Sequence, residues 1–222
     1  MRSNFKTSEQ GTADQGRQSF IEAARRAQII DCAAEAIAEL GFAQASLAQI
    51  AKRAGVSTGV ISYYFAGKDD LIRAVAAHVF ATGEALMRPR IQNQPDAATT
   101  LRVFIEASLA FIKAKPSYPL AILNIIRAGR TEGGAPRYDP SIELPRRDGF
   151  VEILEWGQRD GEFRPFSVPV MVTTIIEAID AVPQQQVVEP DLDLDAYAAE
   201  LVSLFDHATR NAPITGASVT GD

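Results

Sequence analysis

The sequence has little cysteine and no long apolar run. Cys32 is the one cysteine among 222 residues, which excludes an internal disulfide and a cysteine-cluster metal site. Residues 168–176 form one of the longest apolar stretches, about half of the roughly 20 residues that a membrane-spanning helix needs. The polar residues 1–18 lack the apolar centre of a secretory signal. We therefore expect a cytoplasmic protein with no membrane partner.

Groups that support enzyme chemistry are also sparse. His78 and His207 stand alone on predicted helices without a nucleophile motif, and no glycine-rich phosphate loop is present. The run DLDLD at 191–195 lacks the glycine turn and distal glutamate of a calcium loop, so it is expected to charge the start of a helix. The sequence thus predicts no catalytic residue, no cofactor and no metal.

Acidic residues exceed basic ones, but unevenly along the chain. The net charge is −6, yet residues 1–80 carry nine Lys or Arg against eight Asp or Glu, whereas residues 81–222 carry thirteen against twenty. Binding to nucleic acid requires Lys and Arg to neutralise phosphates. The N-terminal part is therefore the better candidate for a local positive surface.

Hydrophobic spacing and capping residues predict helices near the N-terminus. Apolar residues recur every three or four positions from Phe20 to Leu40, which indicates a first helix with a buried stripe. Ser46 and Gln49 form a capping box for a second helix, and Gly55 ends it. Ser57 then caps a short third helix.

The rest of the chain is predicted to be helical as well, because strand-like alternation is nearly absent. The fold class is therefore all-α, with disordered tails expected at residues 1–18 and 211–222. The later helices are predicted over residues 68–87, 97–113, 119–130, 145–159, 168–182 and 192–210.

Residues 47–64 contain the residue types that a helix-turn-helix requires. Ala51 is small where the two helices would cross, and Gly55 supplies the positive φ of the turn. An ordinary helical hairpin would show the same inner pattern. The inner faces are predicted to be buried through Ile50, Ala54, Val56 and Ile61.

The outer face of the third helix favours the helix-turn-helix over an ordinary hairpin. Its residues are small or capable of hydrogen bonding rather than long and charged, so this face can enter a major groove. They are Ser57, Thr58, Gly59, Val60, Ser62 and Tyr63.

The segment SLAQIAKRAGVSTGVISYYFAGKDDLIRAV, residues 46–75, resembles the DNA-binding region of the TetR family of one-component repressors. Within it, GVSTGVISYYF is especially similar to the betaine-operon repressors, and the resemblance extends from Arg25 to about Val79. It implies a ligand-responsive repressor that binds a palindromic DNA operator as a homodimer and is released by a small molecule. The implied domains are a three-helix DNA-binding domain at 19–67 and a larger helical effector-binding and dimerisation domain at 68–210.

The resemblance also assigns DNA contacts to individual residues. Gly59 would let the backbone approach the bases, while Ser46 and Lys68 would contact phosphates. Ser62 stands where many members carry Tyr, so Tyr63 is expected to supply that phosphate contact instead. The full set of implied DNA-binding residues is Arg25, Arg26, Ser46, Ser57, Thr58, Gly59, Val60, Ser62, Tyr63, Tyr64 and Lys68.

Dimerisation is also a physical expectation, because one short helix discriminates a half-site weakly and two half-sites need two chains. The resemblance implies an interface on the helices near 147–159 and 168–182. The alternative is that the same side chains fill the core of one chain. Candidate interface residues are Val151, Leu154, Trp156, Met171, Ile175, Ala178 and Val182.

Apolar and aromatic side chains of the C-terminal part are candidates for a ligand pocket, although such stripes also form ordinary cores. The similarity to the betaine-operon repressors does not reach this part, so no effector is predicted. A helical enzyme or adaptor that uses this cavity without binding DNA is the alternative function. The candidate pocket residues are Phe104, Leu109, Phe111, Leu123, Ile126, Arg127, Phe150 and Ile153.

Overall fold

The structure, a computed structural model, describes residues 6–131 and 133–211, with side chains from Ser19 onward. Over these ranges the regular structure is helical except for two isolated bridges, Arg130–Pro136 and Phe163–Arg210, which confirms the all-α fold class. None of the helices found there is long and apolar enough to cross a lipid bilayer. The helices are α1 (Lys6–Leu40), α2 (Leu47–Ala54), α3 (Thr58–Tyr64), α4 (Lys68–Ile91), α5 (Ala97–Ala114), α6 (Ser117–Arg127), α7 (Leu144–Arg159), α8 (Val168–Asp180), α9 (Val182–Val188) and α10 (Leu194–Thr209), with a 3₁₀ turn at Pro140–Glu143 before α7.

The chain folds into two compact units. Unit 1 combines the residues up to Val79 with Leu120–Asp139, and unit 2 combines Phe80–Pro119 with the residues from Pro140 onward. Neither boundary coincides with the one predicted between residues 67 and 68. The reason lies in α4 and α6, because Leu71 and Ile125 are fully buried within unit 1.

The core of unit 1 forms where α1, α2, α3 and the start of α4 meet. Ile37, Ile50, Ile61 and Ile72 are all fully buried. Polar contacts reinforce this packing, since Asn124 on α6 donates from Nδ2 to the Ile37 carbonyl oxygen at 2.9 Å. Each of the four helices therefore contributes a fully buried isoleucine to unit 1.

The N-terminal half of α1 differs from the prediction. The helix begins at Lys6, so residues 6–18 are helical where a disordered tail was predicted. No proline interrupts this stretch, and adding residues to an existing helix costs little compared with nucleating one. Phe20 is 74% exposed and Ala23 is exposed too, so the buried stripe starts only at Ile29. The predicted tails at 1–5 and 212–222 lie outside the described residues.

Side-chain caps explain where several helices begin. The oxygens of Ser46, Ser57 and Asp96 accept hydrogen bonds from backbone N–H groups of the following helices, as the capping pattern predicts. Asp193 does the same for α10 by accepting from Asp195 N at 3.0 Å and from Ala196 N at 3.1 Å. The DLDLD run therefore charges and caps a helix start, as predicted.

The core of unit 2 is formed mainly by α5, α7, α8 and α10. The rings of Phe104 and Phe150 stack with their centroids 4.0 Å apart, and Leu154 and Ile175 are fully buried around them. Helix α8 ends at Asp180, and a separate α9 follows where one helix to residue 182 was predicted. Pro183 explains the break, since proline has no N–H and its ring clashes with the preceding turn.

Candidate nucleic-acid interface

Helices α2 and α3 form a tight helix-turn-helix. Three residues, 55–57, connect them, and Gly55 adopts the left-handed conformation with φ 65°. The N–H of Val56 donates to the Ala51 carbonyl oxygen at 3.0 Å, which closes the end of α2. Ala51 and Ala54 are buried where α2 packs on its neighbours. The glycine turn and the small inner residues thus occupy the positions that the sequence predicted.

The two faces of α3 differ sharply in exposure. Ile61 is fully buried, whereas Tyr63 is 73% exposed. Thr58, Gly59 and Ser62 are also exposed, and Val60 is half-buried. The structure therefore places the predicted outer face of α3 at the surface, with small and hydroxyl-bearing groups available to a partner.

Two of the hydroxyl groups around α3, those of Ser57 and Ser62, already have partners within the chain. Ser57 caps the helix, its Oγ accepting from Val60 N at 3.3 Å. Ser62 donates from its Oγ to the Thr58 carbonyl oxygen at 3.2 Å. A hydroxyl has one hydrogen and two lone pairs, so each oxygen retains acceptor capacity.

Gly59 is not required by the fold of the free protein. A Cβ atom built on it would meet only Ser57 Oγ, at 3.6 Å, which is an ordinary van der Waals distance. The backbone of Gly59 is therefore bare on the exposed face for a reason other than internal packing. Close approach of a partner to the helix is such a reason.

The aromatic residues at the end of α3 are arranged edge to face. The Tyr63 and Tyr64 rings are 4.9 Å apart at an interplanar angle of 87°. Tyr64 is half-buried, and its ring lies 6.5 Å from the ring of the buried Phe65. Of the two tyrosines, Tyr63 is thus the one presented fully to solvent.

Arg25 and Arg26 lie on α1 and are both exposed. Arg25 donates from Nη1 to Gln28 Oε1 at 2.7 Å, and Gln28 Nε2 donates to the Ala54 carbonyl oxygen at 3.2 Å. The Arg26 guanidinium lies over the Phe65 ring, 4.9 Å from its centroid. Arg26 is therefore brought against the end of α3, and Arg25 lies beside the end of α2.

Lys68 begins α4 and is half-buried rather than fully solvated. Its Nζ donates to the Phe42 carbonyl oxygen at 2.7 Å and lies 4.3 Å from the centroid of the Phe42 ring. Burial lowers the pKa of the Lys68 ammonium, Arg137 lowers it further, and Asp69 opposes both. The ammonium has three hydrogens, so the bond to Phe42 leaves donors for a further acceptor.

Arg53 on α2 plays a structural part that the sequence interpretation missed. Its guanidinium pairs with Glu35 at 3.2 Å and with Glu39, and both carboxylates lie on α1. The hydrogen bonds to Glu39 and Glu35 raise the pKa of Arg53, and the bond from Arg53 lowers the pKa of Glu39. The i, i+4 spacing of the two glutamates was the available signal, since such residues share a helix face.

Comparison with known proteins agrees with this geometry. The profile described as bacterial regulatory proteins, tetR family, matches residues 29–75, which include all of α2 and α3. About a fifth of the chain is thus similar to this family of regulatory proteins.

The curated relatives match over part of the chain. The HTH-type transcriptional regulator BetI 1 of Chromohalobacter salexigens is 40% identical over 85 residues, which cover 38% of this chain and 42% of the relative. The matched segment thus spans about two fifths of the relative's length. Similarity of the TetR-type segment therefore carries no information on the C-terminal parts.

Solved structures of other regulators match most of the fold. The fatty acid degradation regulator FadR from Bacillus halodurans has a TM-score of 0.72 at 24% identity, over 82% of this chain and 98% of that chain. The transcriptional regulator FadR from Bacillus subtilis, in complex with stearoyl-CoA, has a TM-score of 0.70 at 25% identity, over 80% and 95% of the two chains. The helical part that follows the TetR-type segment thus shares their fold as well.

The predicted pocket residues are divided between the two units. Phe104, Leu109, Phe150 and Ile153 are buried in the core of unit 2, and Phe111 on α5 is half-buried. The other three, Leu123, Ile126 and Arg127, belong to unit 1. Ile126 is 46% exposed and Arg127 is exposed, because they lie on the outer side of α6 near its end.

A surface cleft of about 340 Å³ lies between α5 and α10 in unit 2. Its walls include Arg102, Ile105 and Asp206, and none of the predicted pocket residues lines it. No sequence pattern predicts this cleft, because it depends on how two helices distant in the chain pack together.

Three of the predicted interface residues are core residues in the structure. Leu154, Ile175 and Val182 are fully buried within one chain, so they fill its core and offer no surface to a second chain. The spacing of apolar residues along a helix does not show whether they face the core of one chain or a second chain. The remaining four, which are only partly buried, are Val151, Trp156, Met171 and Ala178.

Proposed function

We propose that the protein is a ligand-responsive transcriptional repressor. It binds an inverted-repeat DNA operator as a homodimer and leaves the operator when a small molecule binds to its C-terminal helical part. The observation that carries this proposal is the outer face of α3, where Thr58, Gly59, Ser62 and Tyr63 are all exposed. The match of the tetR-family profile to residues 29–75, which include α3, supports it, as does the 40% identity to a BetI regulator over 85 residues.

Contacts to DNA divide into two groups. Thr58, Gly59, Val60 and Ser62 face base edges in the major groove, where short side chains let the helix enter deeply. The second group contacts phosphates and fixes the orientation of the helix without adding sequence information. This group consists of Arg25, Arg26, Ser46, Ser57, Tyr63, Tyr64 and Lys68.

The homodimer presents two copies of α3 to the two half-sites of an inverted repeat. Its interface is formed by α7 and α8 through Val151, Trp156, Met171 and Ala178. On α8, Val170 is 64% exposed, and the adjacent exposed threonines Thr173 and Thr174 are small enough for close helix packing. An exposed valine of this kind gains free energy when a second chain covers it.

The effector enters the apolar core of unit 2 around Phe104, Leu109, Phe111, Phe150 and Ile153. The structural similarity to a FadR regulator in complex with stearoyl-CoA makes acyl-CoA thioesters the first class to test. An effector releases DNA if it binds more tightly to a conformer in which the two α3 helices are wrongly spaced. The difference in its affinity for the two conformers sets the size of the response.

A gel shift with DNA that flanks the protein's own gene tests the proposal. The double variant Thr58→Ala and Tyr63→Ala removes one base contact and one phosphate contact, so operator binding is expected to weaken at least about 30-fold. Ser203→Ala is the control, because Ser203 is an exposed hydroxyl residue on α10, outside α3 and outside the proposed dimer interface. Light scattering on the same samples reports whether the dimer persists.

The effector is sought by repeating the gel shift with acyl-CoA thioesters of graded chain length and with choline. Release of operator by one compound identifies the effector class. Unchanged operator affinity in the double variant, or a protein that is strictly monomeric, would remove the repressor assignment.

A further inference from the structure

Arg137 lies in the loop that follows α6, at residues 128–139. The loop is closed on itself by the Arg130–Pro136 bridge and by a hydrogen bond from Thr131 N to the Ala135 carbonyl oxygen at 2.8 Å. Most of its residues are exposed, from Gly133 to Pro136 in particular. The side chain of Arg137 is an exception, since only 19% of it is exposed.

The Arg137 guanidinium contacts two separate parts of unit 1. Its Nη1 pairs with Asp69 Oδ1 at 3.0 Å, at the first turn of α4. Its planar face lies over the ring of Phe42, 4.4 Å from the centroid, in the connection between α1 and α2. Nε also donates to the Ala128 carbonyl oxygen at 3.4 Å, which ties the side chain to the base of its own loop.

Phe42 is shared by two cations. Lys68 Nζ lies 4.3 Å from the centroid of the same ring and donates to the Phe42 carbonyl oxygen. Phe42, Lys68, Asp69 and Arg137 thus form one group, which we call the Arg137 cluster. Cation–π contacts and an ion pair that are partly shielded from water are stronger than the same contacts at an open surface.

The Arg137 cluster is linked directly to the end of α3. Asp70, next to Asp69, accepts a hydrogen bond from Ala66 N at 3.0 Å, and Leu71 N donates to the Gly67 carbonyl oxygen at 3.1 Å. Residues 66 and 67 are the only ones between Phe65, the cap of α3, and the start of α4. A displacement of Asp69 or Lys68 therefore alters the direction in which α3 ends.

We infer that Arg137 is a positioning residue for DNA binding, which holds Phe42 and the start of α4 so that Lys68 and the outer face of α3 are presented together. This inference rests on the proposed function. In this inference Arg137 acts without contacting DNA itself, because Nη1 and Nε bond to Asp69 and Ala128 and the guanidinium lies over Phe42. The sequence interpretation assigned no role to Arg137.

Three variants and two measurements test the inference. Arg137→Ala removes the ion pair and the ring contact, Arg137→Lys keeps the charge but loses the planar fork, and Asp69→Asn breaks the ion pair from the other side. Arg90→Ala is the charge-matched control, since Arg90 is exposed on the part of α4 that belongs to unit 2. Operator affinity is measured by fluorescence anisotropy over a series of KCl concentrations, and amide hydrogen exchange is followed at residues 66–72.

Arg137→Ala is expected to weaken operator binding about tenfold while the slope of log affinity against log salt stays unchanged, because no phosphate contact is lost. Lys68→Ala, in contrast, is expected to reduce that slope by about 1. Amide exchange at residues 66–72 should become faster in Arg137→Ala and Asp69→Asn, with Arg137→Lys between them and the wild type. Arg90→Ala should match the wild type in both measurements.

A reduced salt dependence of operator affinity in Arg137→Ala would show that Arg137 contacts phosphate directly. Unchanged operator affinity, or unchanged amide exchange at residues 66–72, would show that Arg137 does not position the start of α4. Either result overturns the inference while leaving the proposed function in place. If the wild-type protein binds no operator, the proposed function fails, and the positioning role falls with it. Should Arg137→Ala not fold, Asp69→Asn and Arg137→Lys supply the same comparison.

Discussion

Gly59 distinguishes what the fold requires from what the proposed DNA binding requires. The space around it accepts a methyl group, since the nearest atom to an added Cβ is Ser57 Oγ at 3.6 Å. Replacing glycine by alanine within a helix also favours folding by up to about 1 kcal/mol. The packing of the free protein therefore does not require glycine at this position, whereas the proposed approach of DNA to α3 does.

Gly59→Ala is expected to unfold at the same temperature as the wild type or slightly above it, while operator affinity falls about tenfold or more because the methyl group holds the helix away from the bases. Thermal unfolding followed by circular dichroism and a gel shift on the same sample measure the two effects. A variant that keeps full operator affinity would show that α3 does not approach DNA at this position.

A second prediction for a single side chain concerns the reactivity of the Cys32 thiol. Burial raises the pKa of its thiol, Glu35 and Asp31 raise it further, and Arg53 opposes them. Only the thiolate reacts with alkylating reagents, so the native protein should react more slowly with iodoacetamide than the unfolded protein at the same mildly alkaline pH. The native rate should continue to rise above the pH at which the unfolded rate levels off.

Mass spectrometry of alkylated Cys32, with and without guanidinium chloride, measures both rates. Equal native and unfolded rates across the pH series would contradict the shielding of this thiol. Glu35→Gln, which removes one neighbouring negative charge, should shift the native profile towards lower pH.

At the scale of the helices, two glycines predict opposite effects of the same substitution. A Cβ on Gly157 of α7 would overlap the ring of Phe163, and Phe163 is a buried core side chain. A Cβ on Gly83 of α4 would lie 3.5 Å from the Phe111 ring, an ordinary contact.

Gly157→Ala is expected to destabilise the protein by about 1–3 kcal/mol through overpacking. Gly83→Ala should be neutral or stabilising by up to about 1 kcal/mol, because alanine favours the helix. Urea unfolding of both variants gives the comparison. Equal effects of the two substitutions would mean that α7 does not approach Phe163 as closely as described.

Features that depend on a few neighbouring residues were predictable from the sequence. The caps at Ser46 and Ser57 and the left-handed Gly55 require only local geometry, and the structure has them where they were predicted. The end of α4, in contrast, does not depend on neighbouring residues alone. The helix continues through Pro89 to Ile91 because Met87 and Ile91 pack against the core of unit 2.

Features that depend on distant parts of the chain were not predictable. Phe20 fits the helical stripe of α1, yet no other element among residues 6–131 and 133–211 covers it, so it is exposed. Leu154 and Val182 fit an interface stripe but are enclosed by the core of unit 2. The pairing of Arg53 with Glu39 and of Arg137 with Asp69 needs the packing of helices that the sequence pattern does not give.

At the scale of the whole molecule, the proposed dimer depends on an exposed side of α8. Val170→Glu would place a charge within the apolar interface, which costs about 2 kcal/mol or more and raises the dimer dissociation constant roughly 30-fold. Leu86→Glu is the control, because Leu86 is 50% exposed on α4, outside the proposed interface.

Sedimentation equilibrium over a concentration series measures the dissociation constants. Val170→Glu should also lose operator binding at protein concentrations where it is monomeric, since a single α3 contacts one half-site only. Equal dissociation constants for the wild type and both variants would place the dimer interface elsewhere on the molecule.

The stacked rings of Phe104 and Phe150 impose a kinetic requirement on any effector that enters between them. Their centroids are 4.0 Å apart, so the rings must separate before an acyl chain can pass. Association that waits for such an opening is slower than diffusion allows. Operator release would then lag behind mixing with the effector, and its rate would level off as the effector concentration rises.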